Sequence, residues 1–124
     1  MIFIDTHVVI WLYEGRTELF SEAARKQIDN DDMCISPMVE LELVYLREIN
    51  RLRVKPKTLI SDLQLRTGLK ISGSSFPDIV ACAHDLKWIR DPFDRLIVAQ
   101  VILEKSHLVT ADKVIRKHFA RAVW

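Results

Sequence analysis

Short apolar runs alternate with longer helical segments along almost the whole chain, and this alternation limits the fold more than any other feature. The runs that we interpret as strands are Ile2–Asp5, Met33–Ile35, Leu69–Ile71, Leu108–Thr110 and Ala122–Trp124. Strands separated by helices are typical of a parallel sheet with helices on both faces. The sequence therefore predicts an α/β fold, a three-layer α/β/α sandwich with a mainly parallel central sheet.

Capping residues set the bounds of the predicted helices. Ser36-Pro37 and Asp91-Pro92 each place a capping side chain before a proline at the first helical position. Ser21 is a further cap, and Gly15 and Gly68 fit helix ends. The predicted helices are Val8–Glu14, Glu22–Asp29, Pro37 to about Asn50, Pro56–Gly68, Phe76–Leu86, Pro92 to about Glu104, and Lys113–Phe119.

Length and composition fit one domain over residues 1–124, with 49% hydrophobic residues for its core. A net charge of +1 excludes a strongly basic coat, so contacts with a polyanion must come from local patches. Cys34 and Cys82 have no metal-ligand spacing, and we expect two buried free thiols in a reducing compartment. No apolar run approaches the roughly 20 residues that cross a bilayer, and no leader is recognisable, so we expect a cytoplasmic protein without membrane contact.

Several acidic residues fall where ligands bind in parallel sheets, beyond the carboxyl ends of the strands. Asp5 ends the first predicted strand, and Asp112 comes just after the fourth. Asp94 lies in the first turn of one helix, and Glu40 and Glu42 lie in the first turns of another. We therefore expect these acids to converge on one rim of the domain.

Each acid taken alone also has a plain structural explanation. Asp91 can cap a helix, Asp94 can offset the helix dipole for about 0.3–1 kcal/mol, and Asp5 and Asp112 can cap the helices after them. Capping does not require convergence, however, and two carboxylates about 4 Å apart repel by about 1 kcal/mol even in water. A converging cluster of hard oxygen ligands indicates Mg²⁺ or Mn²⁺, and such an ion suits phosphodiester chemistry.

Other motifs of enzymes are absent. The chain contains no GxxxxGK[ST], GxGxxG or GxSxG sequence, and its three glycines argue against a loop that cradles phosphate. The four histidines, of which His7 lies nearest to a candidate acid, have no metal-ligand spacing.

Four segments in order, FIDTHVVIWL, ISPMVELEL, RDPFDRLIVAQ and LVTAD, resemble PIN-domain proteins, and specifically VapC-type toxins of toxin–antitoxin pairs. The resemblance spans the whole chain, although no family motif anchors residues 51 to 89. It implies a PIN-like (Rossmann-like) fold and a ribonuclease whose acidic cluster binds Mg²⁺ or Mn²⁺. It also implies an RNA substrate, a small cognate antitoxin and a homodimer.

Carried over residue by residue, the resemblance gives a catalytic and metal-binding set of Asp5, Glu42, Asp94 and Asp112. The family's S-x-x-x-x-x-E spacing from Ser36 selects Glu42, while Glu40 lies about 200° away around the helix and is kept as a substitute. The residues expected to support this set are Thr6 and Thr110, as hydroxyls that orient a carboxylate or water, and Arg95, as a partner of the phosphate or of the acids.

Cationic residues should surround an acidic site that receives RNA. The densest basic run is RLRVKPK (51–57), and further cations are Arg90, Arg95, Lys113, Arg116 and Lys117. Two other functions remain open at this stage. One is a non-catalytic module of the same fold that binds RNA or protein, and the other is a metal-dependent nuclease that acts on DNA.

Overall fold

A computed structural model describes every residue from Met1 to Trp124 and confirms the α/β fold. The strands are β1 (Ile2–Ile4), β2 (Met33–Ile35), β3 (Lys70–Ile71), β4 (Leu108–Val109) and β5 (Ala122–Val123). They form one sheet in the order β3-β2-β1-β4-β5. Each neighbouring pair is parallel, so the sheet expected to be mainly parallel is parallel throughout.

Seven helices connect and cover these strands: α1 (Thr6–Glu14), α2 (Glu22–Asn30), α3 (Pro37–Glu48), α4 (Pro56–Thr67), α5 (Phe76–Ala83), α6 (Pro92–Leu103) and α7 (Lys113–His118). The predicted caps are present. The side chains of Ser21, Ser36 and Asp91 accept backbone N–H groups at 3.1, 3.1 and 3.0 Å. These side chains replace the hydrogen bonds that the first turn of a helix lacks.

Most boundaries agree with the sequence prediction to within two residues, and three local features are worth noting. The first helix begins at Thr6 because Asp5 leaves the strand and caps the helix, accepting the Thr6 amide at 2.8 Å. Helix α5 ends at Ala83 rather than Leu86, and the Arg95 side chain takes up the carbonyl oxygens of Ala83 and His84 there. A short 3₁₀ turn over Thr17–Leu19 was not predicted.

The central strands lie in the middle of the core. All residues of β1 and β2 are buried, which requires helices on both faces of the sheet because neighbouring side chains of a strand point to opposite faces. The cysteines are free, but only Cys34 is buried, and the expected burial of Cys82 is only partial. No helix is both long and apolar enough to span a bilayer.

The strand order reverses its direction between β1 and β4. The chain moves from β1 through β2 to β3 along one side of the sheet, and then returns to build β4 and β5 on the other side. Helices that follow β1 and β4 therefore diverge and leave a crevice at the carboxyl ends of these two strands. Asp5 follows β1 and Asp112 follows β4, so the reversal places both at this crevice.

Candidate active site

One cavity of about 910 Å³ occupies the crevice and contains a concentrated negative charge. Its acidic side chains come from four different parts of the fold, and they are Asp5, Glu42, Asp91, Asp94 and Asp112. Two smaller cavities elsewhere on the protein have no acidic side chain in their walls. The convergence on one rim predicted from the sequence is therefore present.

Three of these carboxylates are close enough to share one ion. Asp5, Glu42 and Asp94 each offer an oxygen atom, and these atoms all lie within 4.8 Å of one another. Asp5 is at the end of β1, Glu42 is on α3, and Asp94 is in the first turn of α6. Helices α3 and α6 pack against each other, and this packing brings their acids to Asp5.

Two threonine hydroxyls fix the orientation of these carboxylates. Thr110, which is fully buried, donates its hydroxyl to Asp5 Oδ2 at 2.6 Å, while the Thr6 amide donates to Asp5 Oδ1. The Thr6 hydroxyl donates to Glu42 Oε1. Both oxygens of Asp5 and one oxygen of Glu42 are thus held in place by the protein, and each keeps a lone pair for a further partner.

The charge of the cluster is unfavourable in the protein alone. Burial raises the pKa of Asp94 to about 8, with further contributions from the negative charges of Asp5, Asp91, Glu42 and Asp112. Burial also raises the pKa of Asp5, against the lowering effect of its hydrogen bonds with Thr110 and Thr6. The pKa of Glu42 is raised by the same cause. A bound cation would remove this cost by pairing with the ionised carboxylates.

Asp112 takes a more distant position in the same cavity. It does not belong to the group of oxygen atoms within 4.8 Å, and its Oδ1 caps α7 by accepting the Ile115 amide at 2.9 Å. Its other carboxylate oxygen accepts no hydrogen bond from the protein. Asp112 therefore has both the capping contact that its sequence position suggested and a free oxygen at the cavity.

The other predicted site residues lie outside the cluster. Glu40 does not line the cavity, as expected from its angular distance to Glu42 on α3. Arg95 donates to the backbone oxygens of Ala83 at 2.9 Å and His84 at 3.2 Å, and it makes no ion pair with an acid. The structure thus gives Arg95 a role in closing the end of α5, because its guanidinium is already engaged there.

The second wall of the cavity is apolar, and sequence reasoning offered Trp11, Tyr45 and Leu46 as contact surface for a partner without placing them at the site. Ile10, Trp11, Tyr45, Leu46 and Ile49 form an apolar side opposite the acids. Only the helical spacing of these residues on α1 and α3 hinted at a shared face. Arg51 contributes a positive side chain and His7 an imidazole, and Arg51 is the one member of the basic run 51–57 that lines this cavity.

The family model of the PIN domain matches residues 2–120 of the chain. This chain belongs to the PIN-domain family. Among characterised relatives, ribonuclease VapC22 from Mycobacterium tuberculosis is 30% identical over 120 residues, covering 94% of this chain and 91% of that protein. The resemblance to VapC-type proteins is therefore confirmed.

Solved structures share the fold at lower identity. The VapBC2 structure from Rickettsia felis, bound to a DNA fragment from its promoter, contains a chain that aligns with a TM-score of 0.66 and 21% identity, covering 94% of this chain and 92% of that one. A toxin–antitoxin complex from Klebsiella pneumoniae aligns with a TM-score of 0.66 and 17% identity, covering 100% of this chain and 97% of that one. These likenesses confirm the PIN fold over essentially the whole length.

Proposed function

We propose that the protein is a metal-dependent endoribonuclease toxin that hydrolyses RNA phosphodiester bonds and is neutralised by a cognate antitoxin. The observation that carries this proposal is the convergence of Asp5, Glu42 and Asp94 within 4.8 Å in an open cavity. The relationship to a protein named as a ribonuclease supports the reaction class. The toxin–antitoxin complexes among its structural neighbours support the partner.

The donor set fits a hard divalent cation. Three converging carboxylates without cysteine are the ligands that Mg²⁺ and Mn²⁺ prefer. Burial raises the pKa of all three, and pairing with a cation would favour their ionised forms. Asp5, Glu42 and Asp94 would hold Mg²⁺ or Mn²⁺, and Asp112 would join directly or through water. When bound, such an ion activates water and stabilises negative charge on the phosphate.

The protein's own side chains supply the order that this chemistry needs. Thr110 and Thr6 hold Asp5 through both of its carboxylate oxygens, so its lone pairs point in fixed directions. The hydroxyl of Thr6 holds Glu42 in the same way, and Glu42 can then bind the ion or position the attacking water. Asp112 offers its free oxygen to a water at the cavity. Fixed donors of this kind avoid the cost of reorganisation during the reaction.

Two partners follow from the family and from the surface of α3. Leu41 and Tyr45 on α3, and Ile49 directly after its end, are four residues apart and are 52%, 46% and 40% exposed. Tyr45 and Ile49 also line the cavity. An apolar segment of an antitoxin laid along this helix would cover both the stripe and the acids. We also expect a homodimer, which size-exclusion chromatography with light scattering can measure across a range of concentrations.

Cleavage of a labelled RNA pool tests the reaction, with Mg²⁺, Mn²⁺ or EDTA and with DNA of equal sequence as the competing substrate. Asp94→Asn should abolish metal-dependent cleavage of RNA. The matched control is Asp78→Asn. Asp78 is the third residue of α5, as Asp94 is of α6, and both helices have a proline in the first two positions. Asp78 is exposed, however, and lies outside the cavity. Equal cleavage by Asp94→Asn and wild type would refute the assignment, and preference for DNA would favour the other nuclease class.

A further inference from the structure

A second cavity lies next to the acidic one and has the opposite charge. It has a volume of about 450 Å³, and its walls are Lys113, Arg116 and Lys117 of α7 together with Ala122 and Trp124 at strand β5. No acidic side chain lines it. We call this cavity the α7 pocket.

The three cations of the α7 pocket have no partner within the protein. None of them takes part in an ion pair or in a side-chain hydrogen bond, and all three side chains are exposed. Lys113 and Lys117 are four positions apart on the helix, where like charges repel. Cations in the last turn favour the helix dipole, but Lys113 at the first position opposes it. The helix dipole thus accounts for Arg116 and Lys117 but not for Lys113, and the repulsion between Lys113 and Lys117 is not offset by any acid of the protein.

Trp124 gives the α7 pocket an aromatic wall and connects it to the acidic cavity. Its ring lies 5.9 Å from the ring of Trp11, which lines the acidic cavity, and 6.0 Å from the ring of Phe20 in an edge-on arrangement. Trp124 remains half-exposed towards the cations. On the other side, Lys113 directly follows Asp112 of the acidic cavity. The two cavities are thus neighbours, separated by one pair of tryptophan rings and one peptide bond.

We propose that the α7 pocket binds a nucleotide of single-stranded RNA next to the bond that is cleaved. Lys113, Arg116 and Lys117 contact its phosphates, and the free part of Trp124 stacks on its base. Single-stranded nucleic acid is typically bound by this combination of backbone-tracking cations and aromatic rings. The pocket's chemistry favours RNA over an acidic peptide because a peptide carboxylate would use the cations but leave the aromatic wall without a planar partner. This inference rests on the proposed ribonuclease function and extends it to the path of the substrate.

Binding without cleavage tests the pocket independently of catalysis. The fluorescence anisotropy of a labelled single-stranded RNA is titrated with protein in EDTA at several salt concentrations, and the RNA is checked to be intact afterwards. Replacing two phosphate-contacting cations, in Arg116→Gln with Lys117→Gln, should weaken binding and reduce the slope of log K against log salt by about 1.4, since each contact to a single strand contributes about 0.7. The charge-matched control is Lys70→Gln with Lys87→Gln, because Lys70 lies on the opposite edge strand and neither lysine lines the α7 pocket or the acidic cavity. This control should leave the slope nearly unchanged.

Two further arms separate a nucleotide from other anions. RNA that lacks the base at the position contacting Trp124 should bind wild type about fivefold more weakly than intact RNA. Trp124→Leu should bind both RNAs equally. Trp124→Phe keeps a ring and should still bind the abasic RNA more weakly. A slope unaffected by the double variant would overturn the inference. Equal binding of RNA, abasic RNA and polyglutamate would also overturn it, because the surface would then bind any polyanion.

The outcome for the pocket is distinguishable from the outcome for the enzyme. If the double variant reduces the salt slope as expected but wild type does not cut RNA with Mg²⁺ or Mn²⁺, the proposed reaction fails and the nucleotide pocket stands. If the chain cuts RNA while the double variant leaves the salt slope unchanged, the reaction stands and the pocket fails.

Discussion

Asp94→Asn should make the metal-free protein more stable at alkaline pH, although it removes a proposed metal ligand. Burial and neighbouring charges raise the pKa of Asp94 to about 8, from an ordinary value of 3.8. Between these values the folded protein keeps a proton that the unfolded chain has released. The free energy of unfolding therefore falls as pH rises through this interval. Asparagine carries no charge at any pH, so this loss disappears in the variant.

The size of the effect follows from the shift. A shift of about four units corresponds to an upper limit of about 6 kcal/mol, at 1.36 kcal/mol per unit. Asp94 is only half-buried, and solvent screens such charges, which reduces the expected value to about 2 kcal/mol. Loss of the favourable dipole interaction at the third helical position opposes it by about 0.3–1 kcal/mol. A net gain of about 1–2 kcal/mol should remain.

Urea denaturation in EDTA at pH 4.5 and pH 8.5 measures this change. Asp94→Asn should exceed wild type in stability at pH 8.5 and approach it at pH 4.5. The control Asp78→Asn, at the equivalent helix position but exposed, should show only the small dipole loss. Addition of Mg²⁺ at 100 times its dissociation constant should stabilise wild type by about 2.7 kcal/mol and the variant by much less. A lower free energy of unfolding for Asp94→Asn than for wild type at pH 8.5 would refute the inference that ionised Asp94 destabilises the metal-free protein.

Three further predictions concern the acids, their support and the basic run. Adding Mg²⁺ or Mn²⁺ to wild type at pH 7 in unbuffered solution should release close to one proton per bound ion, because Asp94 must ionise to bind the metal. Asp94→Asn should release fewer protons. Thr110→Val should lower the rate of RNA cleavage about 10- to 100-fold, because it removes the hydroxyl that holds Asp5 Oδ2. Thr110→Ser keeps a hydroxyl and should cleave at close to the wild-type rate. Equal rates for the two variants would contradict a positioning role. Arg51→Gln should reduce the salt slope of RNA binding by about 0.7. Arg53→Gln, from the same basic run but outside the acidic cavity, should not change the slope. An unchanged slope for Arg51→Gln would mean that the basic run 51–57 is solvent-exposed surface without a role in RNA binding.

The local structure was largely readable from the sequence because its signals act over a few residues. The Ser36-Pro37 and Asp91-Pro92 pairs fixed the starts of α3 and α6 correctly, since capping and proline geometry depend only on neighbouring atoms. The end of α5 was wrong by three residues. The carbonyl groups at that end are taken up by Arg95, which lies 12 positions after Ala83, and no local pattern reveals such a contact.

The sequence by itself placed candidate acids at strand ends and in the first turns of helices, which are positions that reach the rim of a parallel sheet. The resemblance to PIN-domain proteins, rather than this geometry, selected Glu42 instead of Glu40. Only the tertiary structure decided which of the acids meet. The packing of α3 against α6 brings Glu42 and Asp94 to Asp5, while Asp112, which caps α7, lies outside this group. The packing of α7 against β5 sets the cations of α7 beside Trp124, whose ring lies against that of Trp11. Distances between side chains far apart in the chain depend on how helices cross the sheet, and that angle is a property of the assembled core rather than of any one segment.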